Sequence, residues 1–302
     1  EKLARFKKQE SCLVYTTGYC ANLGIISALV GRGDIVFSDR LNHASIIDGI
    51  ILSRAQLVRY PHRDIDALET LLRKNQDYKN KLIISDSVFS MDGDIAPVGR
   101  LMEAAEKYNC LLMLDEAHAT GVLGKDGKGT LEHFGIKASE RLVQMGTLSK
   151  AVGCLGGFVC GRRDLVDYLI NRSRAFIFTT ALPAALCASA LKAIEIMEED
   201  GSLRQRLWDN TNFLRGGLKY LGFDTLESET PIIPVLIRDP KLTMEFSRRL
   251  FKEGVFIQGI RPPTVPEGLS RLRITVMATH KRQDLEFVLD KVKKTGKFLG
   301  IR

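Results

Sequence analysis

Lys150 lies in GTLSKAVGCLGG (residues 146–157), where the apolar run LVQM meets a glycine-rich segment. Gly153, Gly156 and Gly157 follow within seven residues of it. Glycines let a backbone or a ligand approach closely, at an entropic cost that a plain surface loop need not bear. A lysine amine held in such a place can condense with an aldehyde. Three further apolar runs end in polar residues of the same chemical kind. Asp115 closes LLMLD, with His118 three residues on. Asp39 closes IVFSD and is followed by His43, and Ser90 closes SDSVFS. Thr147 stands three residues before the lysine.

A lysine, a strand-end carboxylate and two histidines meet the needs of pyridoxal 5'-phosphate (PLP). Asp115 is the candidate to hold a proton on the pyridine nitrogen and make the ring an electron sink. His118 can reach the phenolic oxygen, and His43 can stack on the ring. Gly18 and Tyr19 open a helix at TTGYCANLG, whose first amides suit a phosphate. Thr147, Thr179 and Thr180 add hydroxyl donors. Each residue alone has a plainer reading: a solvated lysine, a carboxylate capping the next turn, a structural histidine. Their joint occurrence at the ends of several apolar runs is what points to one site. DEAH also matches a helicase motif, but no Gly-x-x-x-x-Gly-Lys-Ser/Thr phosphate loop precedes it.

The elements that would position these residues alternate. Strands are predicted over residues 34–39, 56–61, 81–90, 110–118, 141–146 and 156–161, with Gly146 expected to break the fifth. Amphipathic helices are expected between them, as at DIDALETLLRKN and VGRLMEAAEKYN, where Leu101, Ala104, Ala105 and Tyr108 share a face. Such alternation implies an α/β fold with a largely parallel sheet, and ligands bind off the carboxyl ends of its strands. Beyond an Ala-rich stretch the order changes to helix, strand, helix, strand, strand, helix. A large domain over residues 1–194 and a smaller C-terminal α+β domain over residues 195–302 are therefore expected.

The 302 residues are 45% hydrophobic and 26% charged, an ordinary globular composition. Six scattered cysteines without a C-x-x-C pair suit free thiols in a reducing compartment, the cytoplasm, and no metal site is expected. The start, EKLARFKKQE, is charged and helical in pattern rather than a signal peptide. AFIFTTALPAALCASAL has no charge but is short for a membrane span and is interrupted by Thr179, Thr180 and Pro183. A turn followed by a buried Ala-rich helix opened by Pro183 is expected there. The net charge of +8 invites acidic partners. The basic residues are dispersed, with no aromatic-interleaved stripe, which argues against nucleic acid, and a phosphate-rich small molecule would fit the charge equally well.

TTGYCANLG, SDRLNHASIIDG, SDSVFSMDGDIAPV, LDEAHATGVLGKDGKG, GTLSKAVGCLGG and FIFTTALP together resemble the α-oxoamine synthases, PLP enzymes of fold type I, over essentially the whole chain. The resemblance implies decarboxylative condensation of an amino acid with an acyl-CoA or acyl carrier protein thioester. QGIRPPTVPEGLSRLRITVMATH is most similar to the branch that takes L-alanine and a pimeloyl donor. The glycine C-acetyltransferase branch, a non-catalytic scaffold and a basic nucleic-acid binder are the alternatives. By resemblance Lys150, His43 and Asp115 are catalytic, Arg273 clasps the amino acid carboxylate, and Thr264 lies in the acyl-substrate loop. His43 also orients substrate. Arg261, on a loop stiffened by two prolines, suits an anionic acyl donor. A homodimer is implied, with Thr179 or Thr180 reaching the partner's phosphate. Asp86 stands where the family often has glutamate. The family also carries a segment ahead of the position matching Glu1, so the sequence is expected to be a piece of a longer protein.

Overall fold

The computed structural model describes residues 1–301. They form two compact units: Glu1–Phe89 with Ala96–Gly201, and Ser90–Ile95 with residues 202–301.

In chain order the first unit contains α1 (Lys2–Phe6), β1 (Ser11–Tyr15), α2 (Gly18–Leu29), β2 (Ile35–Asp39), α3 (Ala44–Ser53), β3 (Gln56–Tyr60), α4 (Ile65–Lys74) and β4 (Lys81–Asp86). It continues with α5 (Val98–Lys107), β5 (Leu111–Asp115), α6 (Thr130–Phe134), β6 (Leu142–Thr147), β7 (Gly157–Gly161), α7 (Arg163–Arg172), α8 (Arg174–Ile177) and α9 (Ala184–Glu199). Seven strands form one sheet in the order β1-β7-β6-β5-β4-β2-β3. The run from β6 to β3 is parallel, and β7 and β1 close one edge antiparallel. This is the expected largely parallel α/β sheet.

Alternate strand residues enter different cores. Ile35, Phe37, Ile83, Leu112 and Leu114 pack on one face with Leu101, Ala104 and Ala105 of α5. Val36, Leu82, Ile84, Met113 and Val143 pack on the other with Ala21, Ile25 and Ile26 of α2. Both faces are covered, which is why these strands read as unbroken apolar runs rather than alternating ones.

Four local expectations are corrected. Ser11–Tyr15, not foreseen as a strand, pairs with β7 as the sheet edge. Gly146 does not end its strand: it stays within β6, where the Phe158 ring fills the space a side chain would need, a Cβ standing 2.3 Å from Cζ. The strand expected over residues 81–90 stops at Asp86. The Ala-rich helix α9 is mostly exposed, with Ala190 and Ile194 its only buried residues.

The second unit contains α10 (Ser202–Tyr220), β8 (Ile232–Arg238), α11 (Pro240–Lys252), β9 (Gln258–Ile260), β10 (Ser270–Thr275) and α12 (Arg282–Phe298). Its three-stranded antiparallel sheet, β8-β10-β9, packs with α10, α11 and α12 around Ile233, Val235, Phe246, Leu250 and Leu272. The fully buried Arg271 ties Ser90–Ile95 to this unit, donating to the Met91 carbonyl at 3.3 Å and to the Asp92 carboxylate. Thr230 Oγ1 donates to the Gly93 carbonyl at 2.9 Å.

Candidate active site

The carboxyl ends of β2, β5 and β6 are followed by or carry the expected His43, Asp115, His118, Thr147 and Lys150, and that of β4 carries Asp86. Asp115 ends β5, buried, with both oxygens engaged: Asn22 Nδ2 donates to Oδ2 at 2.8 Å and the Ala117 amide to Oδ1 at 2.9 Å. Asn22 comes from α2. Its Nδ2 also donates to Ser45 Oγ at 2.8 Å, and its buried Oδ1 has no hydrogen-bond partner. Ser45 Oγ lies 2.7 Å from His43 Nδ1, so Asp115, Asn22, Ser45 and the His43 ring form one chain of contacts. His43 occupies the N-cap of α3, and its ring is exposed. Its amide donates to Asp86 Oδ2 at 3.0 Å.

Asp86 ends β4 directly beside Asp115, the two being Cα partners in parallel register. Burial, and then the neighbouring Asp115, push the Asp86 carboxyl well above the usual carboxylate range. The His43 amide and the Lys150 ammonium oppose this, and Asp39 adds to it. Lys150 is solvent-accessible, beyond the end of β6, and its charge acts on Asp86. Asp39 is committed elsewhere. It accepts from the Leu41 amide, the Arg63 amide and His62 Nδ1, and so fixes the turn after β3.

Thr17 caps α2, its Oγ1 accepting from the Cys20 amide at 3.0 Å. Gly18 and Tyr19 supply the helix's first two amides, which no intrahelical carbonyl reaches. Gly18 is the residue that lets this turn approach β6, since a Cβ there would lie 3.2 Å from Thr147 Oγ1. Thr147 Oγ1 bonds to the Gly156 carbonyl at 2.9 Å and lies 2.8 Å from Ser149 Oγ. The Tyr19 hydroxyl donates to Asp48 and points to structural use of that side chain, leaving its amide for a ligand. His118 is half-buried in the turn after β5. Thr179 and Thr180 are exposed between α8 and α9.

Four expected residues belong to the second unit. Ser90 accepts at its carbonyl from Arg273 Nε, and Arg273 also donates to Thr275 Oγ1 at 3.0 Å. Burial draws the Arg273 guanidinium below its ordinary pKa. Arg261 and Thr264 are exposed in the loop after β9, where the Thr264 amide donates to the Arg261 carbonyl at 3.1 Å.

The first unit's donor set fits PLP. A helix N-terminus with unclaimed amides suits a phosphate, a buried carboxylate held by an amide and an asparagine suits a ring nitrogen, and Asn22 Oδ1 is an acceptor without a partner. Lys150, exposed beyond the end of β6, would supply the amine. Asn22 and Ser45 were not singled out by sequence reasoning, and Asp86 only as the residue standing where the family often has glutamate. Asn22 had a legible signal, a polar residue inside the apolar helix GYCANLGIISAL.

The family profile for class I and II aminotransferases matches residues 1–292. An 8-amino-7-oxononanoate synthase from Geobacter sulfurreducens is 52% identical over 303 residues, covering 100% of this chain and 77% of the relative. The solved structure of SPT with its PLP internal aldimine superposes with a TM-score of 0.95 at 34% identity, over 100% of this chain and 76% of that one. An 8-amino-7-oxononanoate synthase from Francisella tularensis gives 0.86 at 30% identity, over 98% of this chain and 85% of that one. The chain therefore belongs to the class I and II aminotransferase family, and within it stands with the 8-amino-7-oxononanoate synthases.

Proposed function

We propose that the chain condenses L-alanine with a pimeloyl thioester, carried on CoA or acyl carrier protein, to give 8-amino-7-oxononanoate, carbon dioxide and the free carrier thiol, a step of biotin biosynthesis. The observation that carries this reading is the 52% identity to a synthase of that name across the whole chain. Shape alone does not choose the substrates, because SPT superposes with the higher TM-score of 0.95 at only 34% identity.

PLP, when bound, supplies an aldehyde for the amine of L-alanine and a ring that accepts the electron pair left at its α-carbon. Lys150 Nζ holds the cofactor at rest and then takes the α-proton. Asp115 keeps a proton on the pyridine nitrogen, with Asn22 and the Ala117 amide fixing its two oxygens. The His43 ring stacks on the cofactor, oriented through Ser45, and positions substrate; His118 serves the phenolic oxygen. The Gly18 and Tyr19 amides, with the hydroxyls of Ser90, Thr147, Thr179 and Thr180, bind cofactor oxygens. Arg273 clasps the alanine carboxylate, a bidentate task suited to guanidinium. Arg261 and Thr264 serve the acyl donor.

The active form in this reading is a cytoplasmic homodimer. Ile177, Phe178 and Leu191, respectively 44%, 71% and 44% exposed, are apolar side chains costly to leave in water, which supports a second copy as their cover. Six free cysteines suit a reducing compartment, and among the described residues no helix is long and apolar enough to cross a membrane. Glu1–Phe89 with Ala96–Gly201 acts as the cofactor domain, and Ser90–Ile95 with residues 202–301 as the small domain.

Borohydride reduction of the PLP-loaded protein tests the site. Cofactor should be fixed on the peptide bearing Lys150, and Lys150→Ala should abolish the fixation. Label on another lysine would overturn the assignment.

A further inference from the structure

Helix α1 ends at Lys7, and Lys8 takes a left-handed backbone with φ 53°. Leu3 and Phe6 sink into a core cluster with Phe158 and Ile194, so Lys7 turns inward. The side chains of Lys7 and Glu116 are each 0% exposed. Lys7 Nζ donates to Glu116 Oε2 and to the Lys128 carbonyl, and lies 3.4 Å from Thr120 Oγ1. Glu116 Oε1 accepts from the Thr130 amide at 2.8 Å and from the Thr130 hydroxyl. Gln144 Nε2 donates to Glu116 Oε2 at 3.1 Å, and Gln9 Nε2 holds Gln144 Oε1 at 2.7 Å. Gly129, at φ 107°, leaves room for the carboxylate, since a Cβ there would stand 2.7 Å from Oε1.

One buried cation thus touches residues 116–130 near both ends, at Glu116 and Thr120 and at the Lys128 carbonyl. That segment begins immediately after Asp115 and contains His118. A buried ion pair is weak evidence for stability, because well-packed apolar replacements often do as well, whereas stranding one partner is costly. Its particular yield here is geometric: a glycine-rich segment is held near both ends by one side chain, that of Lys7. We propose that Lys7 is a positioning residue, which through Glu116 sets the direction in which His118 faces the cofactor beside Asp115. The proposal rests on the PLP reading above.

The test compares wild type, Lys7→Met, Glu116→Gln and the double variant, with Lys2→Met as the control. Lys2 lies on the same helix and pairs only at the surface, with Glu198. In the cofactor-free proteins, amide exchange in residues 117–129 should rise in Lys7→Met and stay unchanged in Lys2→Met. The PLP Kd of Lys7→Met should rise about 10- to 100-fold, the scale of a misplaced site group. The pH titration of the bound cofactor's absorption band should also move, which loss of global stability alone would not cause. Since the Lys7 and Glu116 changes break one shared contact, the double variant should raise Kd by less than the product of the two single effects. It also leaves no stranded charge, so it reports on positioning should Lys7→Met not fold. A wild-type Kd and titration in Lys7→Met, or in the double variant, would overturn the proposal. Failure of wild type to bind PLP would overturn the cofactor reading instead, with the exchange data still judging the clamp.

Discussion

Asp86 and Asp115 are adjacent buried carboxyls on neighbouring parallel strands, and like charges so placed disfavour ionising together. Burial, then Asp115, raises the Asp86 pKa in the folded chain above its unfolded value. Its neutral form therefore favours folding. The associated stability is complete below the ordinary carboxylate range and is lost as pH rises from that range through the raised folded pKa. Urea midpoints of the cofactor-free chain should fall with pH across this window, and Asp86→Asn should flatten the fall. An unchanged slope in the variant would mean that another group titrates there. Asp115 was legible in sequence because it ends an apolar run, Lys150 because it stands in a glycine-rich segment after one, and Gly18 because it opens a helix at TTGYCANLG. The partnership of Asp86 with Asp115 and the His43 amide was not, because cross-strand register and chain turns create it. Lys7 was hidden for the same reason: it reads as one charge in a charged, helical start, yet its partner is 109 residues away.

At the scale of elements, β2 to β7 and helices α4 and α5 follow directly from runs and periodicities. β1 escaped because a short run, SCLVY, leading into TTG has no flanking strand–helix rhythm; only pairing with β7 makes it a strand. Gly146 shows the opposite error. Glycine inside a run suggests a break, but here it admits a ring from the next strand. Gly146→Ala should thus destabilise the chain by about 1–3 kcal/mol, the usual cost of overpacking, as read from urea denaturation. Phe158→Leu in that background should recover part of the loss. An unchanged midpoint in Gly146→Ala would show that Phe158 moves aside freely. Helix α9 differs again: an uncharged run suggests burial, whereas only Ala190 and Ile194 of the helix are buried in the chain.

Over the whole molecule, the sheet brings a carboxylate, a helix N-terminus, a histidine and a lysine to one edge, as expected from strand ends alone. The second unit was legible as helix–strand alternation, but its hold on Ser90–Ile95 was not, since Arg271 and Thr230 reach back across far more than a hundred positions in sequence. The greater part of the +8 charge falls in this unit, in keeping with an anionic thioester donor. Identity to the synthases extends through both units, and it is this that narrows a widely shared architecture to one reaction. The most direct test is turnover of L-alanine labelled in its carboxyl carbon, with a pimeloyl thioester and PLP. The label should leave as carbon dioxide while the alanine methyl is retained in 8-amino-7-oxononanoate. Retention of the label in the product, or preferred use of glycine with acetyl-CoA, would contradict the assignment.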